Sequence, residues 1–190
     1  MTVHAAGPAP RRVLLVGMMG AGKTTVGKLL AHRLGWRYVD SDDEVQAVTG
    51  RTVKELFEAG GEQAFRPLES EALAAALDDD RPAVVSVAGG AVLDPANRGL
   101  LRRAGTVVWL RATPETLLER VRADASAALT RPGGVDHRPL LDRDPAGTIT
   151  RLERERRPIY AEVAEVVVDV DGLAPEAVAE RVLERVQAST

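Results

Sequence analysis

The 190-residue chain predicts an α/β fold: a five-stranded parallel sheet with helices on both faces. Short β-branched runs alternate with amphipathic helical stretches through almost its whole length, the pattern of strands joined by helical crossovers. That length suffices for one domain with a substantial core and falls short of two typical ones. No internal repeat interrupts the alternation.

The first strand is "RVLLVG" (12–17), followed by a helix over 22–34 that Gly35 ends as a C′ residue. "WRYVD" (36–40) is the second strand. Several helical pieces then fill 41–77, more than a minimal crossover requires, and this segment is the expected substrate-binding region. Two capping boxes mark starts there, Ser41 with Glu44 and Thr52 with Glu55. Pro67 falls inside the helix expected over 62–77, where it removes a donor at a cost of about 3 kcal/mol or more, so a kink or a start near Pro67 is expected.

"AVVSVA" (83–88) is the third strand, before a helix over 94–104, and "TVVWL" (106–110) is the fourth, before a helix over 114–122. The stretch 123–146 is rich in glycine, proline and charge and reads as a long loop. Because it carries Arg131, His137, Arg138 and Arg143, a lid is the expectation. A helix over 147–163, the strand "EVVVDV" (165–170) and a helix over 175–188 complete the domain. Residues 1–11 have no apolar h-region and read as a disordered tail, leaving 12–190 as a single domain.

Composition narrows the function classes. A formal net charge of −3 provides no field for nucleic acid or an anionic membrane, so a polyanion site must use locally placed arginines. The absence of cysteine removes disulfides, thiolate catalysis and cysteine-ligated zinc, and fits a reducing compartment, with cytoplasm the default. No window approaches 18 consecutive apolar residues, so a soluble protein without a spanning helix is expected. It is read as a monomer acting on small molecules.

"GMMGAGKTT" (17–25) carries the chemistry. Residues 17–24 match G-x-x-x-x-G-K-[ST] at every defined position, after a strand and before a helix. Glycines let successive backbone N–H groups converge on phosphate oxygens, and the positive helix end adds attraction. Gly20, Ala21, Gly22, Lys23, Thr24 and Thr25 are the nucleotide-binding set. Lys23 supplies charge at the β- and γ-phosphates, and Thr24 a hydroxyl for Mg²⁺. The ligand predicted is a nucleoside triphosphate.

"VDSDDE" (39–44) follows at the C-terminal end of the second strand, where open α/β sheets place ligands. If the strand continues, Asp40 and Asp42 project to the same side, one for magnesium and one for an acceptor hydroxyl. Helix capping is the bland alternative, and Asp43 is left to the surface. At an ordinary pKa of about 4, Asp42 is a weak base whose role is orientation and late proton acceptance.

These motifs, with "GEQAFRPLE" (61–69), "SVAGGAV" (86–92), "HRPLL" (137–141) and "RERRPIY" (154–160) in that order, resemble shikimate kinase from about residue 12 to 188. The resemblance implies the nucleoside-monophosphate-kinase-like P-loop fold, with a substrate-binding helical region and a lid. It implies transfer of the γ-phosphoryl of MgATP to the 3-hydroxyl of shikimate, on the route to chorismate. By the same resemblance Asp42 faces the shikimate hydroxyls, Arg66 and Arg156 hold its carboxylate, and the backbone at Gly89 and Gly90 meets it. Arg138 reaches the transferring phosphate, Thr24 and Asp40 serve magnesium, and Arg131 and Pro175 lie against adenine. Lys23, Asp42 and Arg138 form the catalytic set.

Physical chemistry supports the arginines, since a planar guanidinium binds a carboxylate bidentately where lysine cannot. Ala88 departs from the family's glycine triplet and would be strained if position 88 needed positive φ. Leu173 replaces a residue that is often basic in the family. The rival readings are another small-molecule P-loop kinase, such as one for gluconate or a nucleoside monophosphate, and a non-catalytic ATP-binding regulatory module.

Overall fold

The computed structural model describes residues 12–129 and 144–188. The tail 1–11 and the lid residues Arg131, His137, Arg138 and Arg143 lie outside them. Five strands form one sheet: β1 Arg12–Val16, β2 Arg37–Asp40, β3 Ala83–Ser86, β4 Thr106–Arg111 and β5 Val166–Asp169. Every pairing is parallel, in the order β2-β3-β1-β4-β5. Seven helices lie among the described residues: α1 Lys23–Leu34, α2 Ser41–Thr49, α3 Val53–Leu77, α4 Pro95–Ala104, α5 Pro114–Leu129, α6 Pro145–Val163 and α7 Pro175–Ala188. None of them is long and apolar enough to cross a membrane.

Central strands are apolar without alternation because helices cover both faces. Val13 to Val16 and Val84 to Val85 are at most 1% exposed. The helix ends obey local chemistry. Gly35, at φ 67°, ends α1 with its N–H on Ala31 O and His32 O, and Thr52 and Glu55 form the expected capping box on α3.

Four expectations need correction. The 41–77 break falls at Gly61, whose φ of 69° and ψ of −173° only glycine accepts readily, and not at Pro67. Pro67 sits inside the helix and is exposed, as is Gln63, so the carbonyl it leaves unpaired can meet water. Ser41 does not cap α2; Asp40 does, accepting from Asp42 N at 3.2 Å. The 123–146 loop is shorter than expected, because α5 runs on to Leu129 and α6 starts at Pro145 under an Asp144 cap. Finally, no described non-glycine residue has positive φ, so Ala88 carries no such strain.

One large apolar cluster fills both sides of the sheet, while Val45, Leu56, Phe65 and Ala72 form a second, smaller one between α2 and α3. The 41–77 region therefore has its own core and borders the sheet at the C-terminal end of β2. Strand order reverses its direction around β1, and the C-terminal ends of β1, β2 and β3 open onto the same crevice, the ligand position in such sheets.

Candidate active site

A cleft of about 570 Å³ opens there. Its first wall is the loop after β1. Gly17 and Gly20 have φ of 141° and 78°, and a Cβ would stand 2.6 Å from Leu110 O at Gly17 and 2.8 Å from Leu117 O at Gly20. Only glycine lets the loop curl this closely against β4 and α5. Lys23 Nζ donates to Gly17 O at 2.9 Å and Met18 O at 3.1 Å, tying the loop across its mouth. No side chain caps α1 and its first turn has no acidic residue, so its positive end suits an anion.

Asp40 and Asp42 both line the cleft, though by a different route from the expected strand continuation. The strand ends at Asp40 and Asp42 is already helical, and the Asp40 cap folds the two together. Asp40 Oδ2 accepts the Thr24 hydroxyl at 3.2 Å and the Tyr38 hydroxyl at 2.7 Å. The Tyr38 phenol is pushed well up by burial and by the Asp40 charge. Asp42 is exposed and lines the cleft, with protein atoms packed around its carboxylate. That enclosure pushes its pKa up to about 6, with Asp40 adding to the rise and Lys23 opposing it. The ordinary value expected from sequence is thus corrected.

Arg66, on α3, pairs with Glu69 at 2.7 Å and also with Glu62. Burial works against its charge, but the two glutamates outweigh burial and raise its pKa. Glu69 is only 2% exposed, and burial raises its pKa despite the arginine beside it. Arg156 comes from α6 and is 5% exposed. Between them runs the Gly89-Gly90 turn after β3, pinned where Ser41 Oγ accepts from Ala88 N at 2.8 Å. A Cβ on Gly90 would stand 2.6 Å from Arg66 Cζ, so the guanidinium lies directly on that backbone.

Of the residues expected in the site, Gly20 to Thr25, Asp40, Asp42, Arg66, Gly89, Gly90, Arg156 and Pro175 all line this one cleft. Leu173 lines it beside Pro175. Arg131 and Arg138 lie outside the described residues. Sequence reasoning missed Arg120 and Glu69. Arg120, on α5, donates to Val170 O at 2.9 Å and lies 3.5 Å from Ala21 O, which puts a cation beside the phosphate loop. Its only sequence signal is a helical position one face away from solvent. The i,i+3 spacing of Arg66 and Glu69 could have signalled the second.

The switch-point crevice and its amide-lined loop make the molecule a P-loop phosphotransferase. The chain belongs to the shikimate kinase family, whose family model matches residues 19–187. It is an ATP-dependent enzyme that phosphorylates a hydroxyl group. The chain is 44% identical over 176 residues to the shikimate kinase of Symbiobacterium thermophilum, covering 92% of this chain and 95% of that one. Against the shikimate kinase of Moorella thermoacetica it is 42% identical over 179 residues, covering 94% and 96%. Among solved structures, shikimate kinase from Acinetobacter baumannii in complex with shikimate matches with a TM-score of 0.83 at 33% identity, covering 94% of each chain. A gluconokinase from Sinorhizobium meliloti shares the fold alone, with a TM-score of 0.55 at 20% identity.

Proposed function

We propose that this chain transfers the γ-phosphoryl group of MgATP to the 3-hydroxyl of shikimate through the cleft residues above. The observation that carries this reading is convergence: a phosphate loop, a carboxylate of raised pKa and two arginines from separate helices face one cavity. A hydroxylated carboxylic acid fits that lining, with its carboxylate on Arg66 and Arg156 and its hydroxyls toward Asp42. A gluconate reading has only the shared fold in its favour.

In this mechanism the shikimate 3-oxygen attacks the γ-phosphorus in line with the β–γ bridging oxygen, which leaves with ADP. The hydroxyl proton passes to the Asp42 carboxylate as the new O–P bond forms. With a pKa of about 6, Asp42 is mostly ionised at pH 7 and a better acceptor than an ordinary aspartate. Lys23 and the loop amides hold the phosphates, and Arg120 adds positive charge beside Ala21. Arg138 is assigned to the transferring phosphate, and Arg131 and Pro175 to adenine. A cytoplasmic setting and action as a monomer belong to the same reading.

The donors at Thr24 and Asp40, a hydroxyl and a carboxylate in contact, are hard oxygens of the kind Mg²⁺ takes while keeping waters and phosphate oxygens. Magnesium held there with the nucleotide supplies charge neutralisation at the β- and γ-phosphates.

The deciding experiment is a coupled ADP-release assay with shikimate, gluconate and nucleoside monophosphates as acceptors. Turnover with shikimate is expected. Turnover with gluconate alone would overturn the reading.

A further inference from the structure

We propose that Tyr160 is a positioning residue that sets the spacing between Arg156 and the Gly89-Gly90 turn. This rests on the reading of those groups as shikimate-binding. Tyr160 follows Arg156 by four residues on α6, so the two side chains share a helix face. Its hydroxyl donates to Gly89 O at 2.7 Å and lies 3.9 Å from Met18 Sδ in the phosphate loop. The Arg156 guanidinium stands at the same turn, its Nη1 3.6 Å from where a Cβ on Gly89 would lie. One oxygen thereby ties the turn after β3 to α6, beside the loop after β1.

The ring gives that oxygen a fixed address. It is 1% exposed and stacks on Trp109 of β4, with centroids 5.8 Å apart and planes 30° from parallel. A phenylalanine would fill this space without the cost of burying a hydroxyl, so the hydroxyl's contribution lies in what it holds. Its single proton goes to Gly89 O, beside the Arg156 guanidinium at the same turn. Burial pushes the phenol up to about 12, with Arg156 opposing. It remains a donor throughout the working range.

The gap it spans has no slack. A Cβ on Gly89 would stand 3.3 Å from the Tyr160 hydroxyl and 3.6 Å from Arg156 Nη1. Without the hydroxyl, the turn loses its tie to the helix that carries Arg156, and a small displacement of a substrate-holding group is costly.

The test compares Tyr160→Phe, Arg156→Ala and Val163→Ala by steady-state kinetics and thermal melting. Tyr160→Phe keeps the ring and its stack, so it folds. It is expected to raise the shikimate KM about three- to tenfold, the scale of one lost hydrogen bond, with kcat and the ATP KM within about twofold. Val163→Ala trims a buried α6 residue that does not line the cleft. It should lower the melting temperature without moving the shikimate KM, which separates positioning from general loosening. A raised shikimate KM in Arg156→Ala but not in Tyr160→Phe overturns the positioning role alone. Unchanged shikimate KM in both variants overturns the carboxylate reading of Arg156 and the positioning role with it. Equal rises in the shikimate and ATP KM of Tyr160→Phe would mark diffuse damage and also overturn it.

Discussion

The Thr24 hydroxyl donates to Asp40 Oδ2 at 3.2 Å, joining the first turn of α1 to the end of β2. The Tyr38 hydroxyl shares that oxygen, and the other oxygen caps α2. Asp40 is thus oriented by its own neighbours, and on the proposed assignment a cation arriving with the nucleotide would find the carboxylate already placed.

Asp40→Asn keeps a capping oxygen and removes the charge. Half-saturating Mg²⁺ in calorimetric ATP binding is expected to rise about ten- to a hundredfold. The melting temperature should hold nearly constant, since asparagine caps as well as aspartate. Chelation of Mg²⁺ should abolish turnover and its return restore it. Mg²⁺-independent ATP binding equal in both proteins would remove Asp40 from the metal site.

Asp42 predicts the pH profile. With its carboxylate as the proposed proton acceptor, kcat/KM for shikimate should climb through an apparent pKa of about 6 and level off above it. Asp42→Asn should lose about 10² to 10⁴ in kcat and the acidic limb with it. A limb that persists in the variant would assign the titration elsewhere.

The same shift carries a stability signature of opposite sense. The folded pKa lies above the unfolded one, so the group favours the fold at pH below about 4, and that contribution is gone once pH rises through about 6. Asp42→Asn should therefore melt higher than wild type at pH 7.5, with the difference shrinking at pH 4. Equal gains at both pH values would contradict the raised pKa. Such a residue trades stability for activity.

Gly90→Ala tests the Arg66 contact. Gly90 has an ordinary φ of −93°, so the backbone accepts alanine, but the new Cβ would collide with the end of the Arg66 side chain. The expected outcome is a native melting temperature with a shikimate KM raised about tenfold or more, as a bidentate arginine is displaced. Gly17→Ala, at φ 141° and against Leu110 O, should lose fold stability instead.

Lys23→Ala removes the charge proposed to hold the phosphates and both bonds to the loop carbonyls. Turnover should fall by about 10² to 10³ or more, as when one transition-state donor is lost. Residual activity near wild type would place phosphate stabilisation on Arg120 and the loop amides alone.

Much of this molecule was legible in the chain as written, because its signals are local. Apolar runs of the right length are strands, Thr52 with Glu55 is a cap, and a glycine-rich stretch before Lys23 is a phosphate cradle wherever it stands between strand and helix. What the chain alone left open depends on neighbours distant in sequence. Whether Ser41 caps a helix or holds Ala88 N depends on β3 lying beside β2. The break falls at Gly61, whose φ and ψ suit glycine, while Pro67 is accommodated on an exposed stretch of helix, and α5 outlasts its apparent loop composition. Identity and spacing of residues determined which groups were available: a glycine-rich loop with its lysine, a pair of aspartates and two arginines in separate segments. Only the tertiary structure decided how strongly each group acts, because burial and nearby charge, which raised Asp42 and enclosed Arg156, arise when separate segments are brought into one cleft.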